Sequence, residues 1–366
     1  MSACISFQTT VRLDSYLKCK NTKLFVIRKK IVILRKINLA MGEERKRKDI
    51  YVTNEVAYLR ADLKISHLRI LAAILRSLQD AIRQKISTKY SRREVLDVPS
   101  GTLKDFGKVR KISVETKQFD IEDNTWFVRK CLTEMKSISC TFRDEESFPG
   151  LLAGFSMPRY SRTVDLYLAE PLFWKLLNTE EGYFSFNEAE FSQIQNKYTL
   201  RIYWLIQSWK NRGGFVISVD NLRAILSVSK SYERIDNLEL KIIRPARDHL
   251  QSLSRVWFLY RRYSGKSGEL FAFKIKENLS EEEQQRIRKQ YFDYCFQNLY
   301  SMGVPLQEIE KFMSGIEIED YRLLAVKTAE IKDYILQHPN IANRKSYIIT
   351  SLTTWQNNWL EKYEEI

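Results

Sequence analysis

From Tyr232 to Lys266 the 366-residue chain carries side chains whose donors and charges are spaced for contact with a polyanion. Asn237, Lys241 and Arg244 recur at helical intervals, which puts them on one side of a helix. Leu238, Ile242, Ala246 and Leu250 fall on the other side, so burying that apolar stripe turns the polar residues outward. Asn and Arg each offer paired hydrogen-bonding atoms that match adenine and guanine edges in a major groove. Arg247 adds a cation to the same segment. Tyr232 and Arg234, just ahead of the helix, suit a phosphate or a base. Arg261, Arg262 and Lys266, further along, suit phosphate.

The elements that must hold these residues follow from periodicity and punctuation. Tyr198, Ile202, Leu205, Ile206 and Trp209 lie on one helical face, and Gly213-Gly214 ends that helix. A second helix starts after Ile217-Ser218-Val219-Asp220, with Ser218 or Asp220 as its cap. A polar loop over 227–234 leads to a third helix, Asp236 to Leu253. Two strand-like runs follow, Arg255–Arg262 and Glu269–Ile275, joined by the glycine-rich turn 263–268. Three helices and a β-hairpin are the order of a winged helix, in which the third helix enters a DNA groove and the hairpin touches the backbone beside it.

Upstream, Asp49–Glu55 opens a folded region. Ser66 is positioned to cap an amphipathic helix running to about Gln84, with Leu68, Leu71, Leu75, Leu78 and Ile82 as its stripe. Such a stripe reads first as a core face and second as a self-association face. Lys111–Val114 reads as a strand, Asn124 caps a helix over 125–135, and Ile138–Phe142 pairs as a hairpin with Leu151–Met157 across an acidic turn at 144–146. This is a second winged-helix-like arrangement. Thr163–Leu168, a strand-like alternation, and the runs 171–177 and 183–186 bridge the two without a Gly/Ser linker. Helical patterns fill the remainder from Ser280, broken near Gly303-Val-Pro305 and His338-Pro339. The expected fold class is therefore α+β: two tandem winged-helix domains, 41–190 and 191–278, followed by a helical C-terminal region, 279–366. Residues 1–40 form a basic extension outside both.

Charge sharpens the picture. The chain carries a net charge of +15. Residues 191–280 hold 16 Lys/Arg against 7 Asp/Glu, whereas 41–190 hold 25 against 23. Within the folded part the basic excess coincides with the second winged helix, the footprint of a nucleic-acid binder. Five cysteines, odd in number and never in Cys-x-x-Cys spacing, disfavour zinc ribbons and disulfide frameworks and point to a reducing, cytoplasmic setting. No apolar run reaches the ~18 residues of a membrane span.

Catalytic constellations are missing. There is no Gly-x-x-x-x-Gly-Lys-[Ser/Thr] phosphate loop and no Gly-x-Gly-x-x-Gly. His67, His249 and His338 stand alone, so no His pair offers to hold a metal for strand nicking. The carboxylate clusters sit at a turn and at a helix start, where solvation and the helix dipole account for them. The expectation is a protein that is not an enzyme and takes neither cofactor nor metal.

Three segments carry a family likeness: Tyr51-Val-Thr-Asn-Glu-Val with its Leu-rich helix; Leu200-Arg-Ile-Tyr-Trp-Leu-Ile with Ile217–Leu226; and Ser231-Tyr-Glu-Arg234 leading to Leu238, Ile242–Leu250 and a basic wing. Together they resemble the plasmid replication initiators of the iteron-binding, two-winged-helix type, over about 50–275. The resemblance implies a bacterial DNA-binding protein whose second unit reads directly repeated origin sites. Its first unit would dimerise, here through Leu68, Leu71, Leu75 and Leu78. Monomers would open the origin and recruit host helicase and initiator, and dimers would repress the protein's own promoter. The alternative is a dimeric winged-helix transcription repressor with no replication role.

Overall fold

The computed structural model describes residues 49–79, 100–103, 107–121, 124–143, 146–158, 161–178, 182–229, 232–265, 268–358 and 363–366. The basic extension 1–40, the end of the Leu-rich helix past 79, most of the acidic turn at 144–146 and Lys266 lie outside them. The described residues fall into two compact units, one of 45–283 with 354–366 and one of 284–353.

The larger unit is mixed helix and antiparallel sheet, an α+β fold with a winged helix at each end of the chain segment. Strand β1 (Asp49–Thr53) pairs with β8 (Tyr183–Asn187), 130 residues away, and so closes the first half on itself. Between them lie α1 (Asn54–Ala57), α2 (Ile65–Ser77), β2 (Ser100–Leu103), β3 (Gly107–Glu115), α3 (Thr125–Ser137), the short pair β4 (Cys140–Thr141) and β5 (Ser147–Phe148), β6 (Gly154–Ser156), β7 (Thr163–Ala169) and α4 (Glu170–Leu176). The main sheet of this half runs β2-β3-β7-β6.

Two expectations need correction here. The returning strand near Gly154 does not pair with Ile138–Phe142; it pairs with β7, so the hairpin of the first winged helix is β6–β7. The run 138–142 instead buries Cys140 and Phe142 in the core, pairs with β5 over two residues and forms an isolated bridge from Thr141 to Arg60. Ser66 does not cap α2 either. The helix starts at Ile65 after Lys64, whose backbone N–H donates to His67 Nδ1 over 3.3 Å, and the buried Ser66 hydroxyl accepts from Cys131 Sγ.

The second half follows the winged-helix order. After α5 (Glu188–Gln193) comes α6 (Lys197–Trp209), whose N-cap Asn196 accepts from the N–H groups of Tyr198 and Thr199. Leu200 to Ile206 are all buried, so α6 is a central core helix, not a half-exposed one. Gly213, in the left-handed region at φ 70°, turns the chain into β9 (Gly214–Ser218). Ser218 then caps α7 (Val219–Leu226) by accepting from Asn221 N–H.

An α-helical turn (Ile235–Leu238), a π turn (Glu239–Ile243) and a further α-helix (Arg244–Leu253) run on without a break as α8. Strands β10 (Val256–Gly265) and β11 (Gly268–Glu277) form the wing, and β9 adds to β11 as a third antiparallel strand. The last residues contribute β12 (Glu364–Glu365), which runs parallel to β9 on the sheet's other edge.

One hydrophobic core runs from Ile50 to Ile275 through both halves. Arg201 sits in it, and among the described residues no carboxylate pairs with it. Its Nη2 donates to the carbonyls of Leu59, in the first half, and Ile225, in the second. Burial lowers its pKa to about 10. The smaller unit consists of helices packed on Tyr291, Cys295, Leu299, Leu324 and Ile331. Its segments come from α9 (Glu281–Ser301), α10 (Leu306–Ser314), α11 (Tyr321–Gln337) and α12 (Arg344–Asn357).

Candidate nucleic-acid interface

Helix α8 buries Leu238, Ile242, Ile243, Ala246 and Leu250. That leaves Arg234, Asp236, Leu240, Lys241, Arg244, Pro245 and Asp248 exposed along the opposite side, with Asn237, Glu239 and Arg247 half-buried at its margins. Pro245 lacks the N–H that another residue would donate along the helix, and the wide π turn directly ahead of it is the local adjustment at that point. The expected stripe of Asn237, Lys241 and Arg244 therefore faces away from the core. Arg247 does not point freely outward: it pairs with Asp248 at 2.6 Å and lies over the Tyr260 ring.

Ahead of the helix, Tyr232 packs edge-on against Tyr198, with ring centroids 5.9 Å apart. Its ring is half-buried, and what it offers a ligand is its margin. Arg234 is exposed, and its carbonyl accepts from the N–H groups of Asn237 and Leu238, starting the helix. Arg223 of α7 holds this loop: it pairs with Asp220 at 3.1 Å and donates to the Glu233 carbonyl.

The wing is fastened to α8 by Tyr260, which the sequence did not single out, and by Arg262, which it assigned to phosphate. Phe258, Tyr260 and Arg262 alternate along one face of β10. Phe258 is buried; Tyr260 donates its hydroxyl to Glu239 Oε1 over 3.1 Å. Arg262, expected to meet phosphate, holds Asp236 at 3.0 Å and Glu269 at 2.8 Å. Burial pushes the Tyr260 phenol up, the Arg244 guanidinium beside it pulls the other way, and Glu239 adds to the rise. The Ser264 hydroxyl first, and then Arg262, hold Glu269 below the usual carboxylate range. Arg261, on the other face of β10, is exposed. The period-2 alternation of the strand was the available signal, since it puts Tyr260 and Arg262 on the side that Phe258 buries.

At its C-terminal end α8 is tied to α5. Glu190 accepts from the hydroxyls of Tyr203 and Ser254 at 2.9 and 2.6 Å and from the Arg255 N–H at 3.1 Å. Both ends of the helix are thus fixed to the scaffold, while Leu240, Lys241 and Arg244 of its middle are exposed.

The leucines expected at a dimer interface are elsewhere. Leu68, Leu71, Leu75 and Leu78 are all at most 3 % exposed within a single chain. They pack as core between α2 and the sheet, because the stripe is needed to cover β3 and α3, and they offer no face to a second copy. Among the described residues no three His, Cys, Asp or Glu side chains form a group that could hold a metal ion, and no helix is long and apolar enough to cross a membrane.

No family model and no curated protein matches the chain. Among solved structures it is similar to a Pi initiator protein in complex with iteron DNA, with 14% identity and a TM-score of 0.44, over 65% of this chain and 100% of that one. Nothing at residue level passes from a likeness so distant.

Proposed function

We propose that the chain is a non-enzymatic, sequence-specific double-stranded DNA binder of the plasmid replication initiator kind. In this reading α8 enters the major groove, and Asn237, Lys241 and Arg244 meet base edges. Arg234, Arg261, Tyr232 and Lys266 meet the flanking backbone, while Arg247 and Arg262 serve mainly to hold the wing against the helix. The observation that carries it is the outward polar stripe of α8, clamped at both ends and framed by a basic hairpin. Directly repeated sites near an origin, local opening of the duplex, recruitment of host helicase and initiator, and repression of its own promoter by dimers complete the proposal. A bacterial cytoplasmic location goes with it.

Footprinting of the full chain on its parent replicon tests this. Protected direct repeats spaced near one helical turn are the expected result. A single inverted repeat, with no support of replication in trans, would instead establish the repressor. Metal-dependent nicking of supercoiled DNA would establish an enzyme.

A further inference from the structure

We propose that Leu240 forms a contact site for the 5-methyl group of thymine, and so determines specificity on the α8 face. The inference rests on the reading of α8 as a base-contacting helix and goes one residue further.

Leu240 is 51 % exposed. A scattered apolar residue at a surface needs no explanation on its own. Its position is what calls for one. On the helix its neighbours are Asn237 three residues before, Lys241 next to it and Arg244 four residues after, so it stands in the middle of the polar stripe. Among the described residues of 45–283, the other exposed large hydrophobic side chains are Trp126 and Tyr183, whose side chains carry a polar atom; Leu240 has none. The core does not use it, because Leu238, Ile242 and Ile243 fill the buried side of the same turns.

In a major groove each A·T pair presents, beside its hydrogen-bonding atoms, one apolar group, the thymine methyl. A leucine tip between an Asn and an Arg that read polar edges is complementary to that pattern. Lys241 and Arg244 supply the attraction that brings it to the groove, and the methyl removes the leucine tip from water.

The test uses the full-length chain and a duplex selected from a random double-stranded pool for tightest binding. Each thymidine of that duplex is replaced in turn by deoxyuridine, which removes the methyl and leaves every hydrogen bond. For the wild type, one or two replacements are expected to weaken binding about fourfold, the factor equivalent to about 0.8 kcal/mol for one buried carbon. Leu240→Ala should bind the thymidine and deoxyuridine duplexes equally, and Leu240→Met, which keeps an apolar tip, should still distinguish them. Circular dichroism confirms that both variants fold.

A wild type indifferent to every replacement overturns the inference while leaving the proposed function intact. So does Leu240→Ala with undiminished discrimination. A pool that converges on no sequence removes the proposed function itself, and the thymine contact with it.

Discussion

The hydroxyl of Tyr260, on the wing, donates to the carboxylate of Glu239, on the third helix of the second half, over 3.1 Å. That bond crosses between the two elements that would grip DNA and fixes the angle between them. Tyr260→Phe removes it while keeping the ring over which Arg247 lies. Urea unfolding is expected to show a loss of about 0.5–1.5 kcal/mol. Specific binding should weaken with little change in salt dependence. Tyr260→Ala should be worse on both counts, since Arg247 also loses its seat; an unaltered Tyr260→Ala would show that the clamp does nothing.

Asp236 draws part of the Arg262 charge away from any phosphate. Asp236→Asn leaves that guanidinium to Glu269 and raises the local charge by one. Affinity for random-sequence duplex should rise, and the slope of log K against log salt should steepen by up to about one. Fluorescence anisotropy across a salt series measures it. A general weakening would mean that Asp236 is needed to aim Arg262.

Leu71 and Leu75 are 1 % and 0 % exposed. Leu71→Asp with Leu75→Asp should therefore unfold the larger unit, because each carboxylate would be buried without a partner at a cost of several kcal/mol. Circular dichroism beside analytical ultracentrifugation reads the outcome. A folded, monomeric double mutant from a dimeric parent would restore the dimer-face reading.

His67 is buried, with Nε2 2.9 Å from Glu134 Oε2. Burial lowers its pKa below the usual 6.5, and Glu134 opposes the shift only in part. The unfolded chain therefore binds the proton more readily. The stability this group confers is complete above pH 6.5 and is lost as pH falls through the folded value. Urea unfolding at pH 7.5 and 5 should show that decline, and His67→Gln should flatten it. Stability that rises on acidification over the same window would contradict the assignment.

What was legible in the sequence is local. Ser218 and Asn124 announced their helices, and Gly265 and Gly268 announced the wing, whereas Asn196, which caps α6, was not read as a cap. The apolar positions 238, 242, 246 and 250 separated the two sides of α8 correctly. Long-range pairing was not legible. Nothing in 49–53 names 183–187 as its partner, and Gly214–Ser218, buried on both faces, lacks the alternation that marks a strand. The brief β12 carries no pattern at all. Arg201 shows the same limit in the candidate site's scaffold: a charge within a helix reads as a solvated face, and only the packing of two halves around it makes it a buried tie.

The central claim is that α8 reads bases through Lys241 and Arg244. It is tested most directly by binding of Lys241→Ala and Arg244→Ala to the selected duplex and to a scrambled duplex of equal composition. Each substitution is expected to cost about 1–3 kcal/mol on the selected duplex and much less on the scrambled one. Equal losses on the two duplexes would contradict base reading and leave both residues as phosphate contacts.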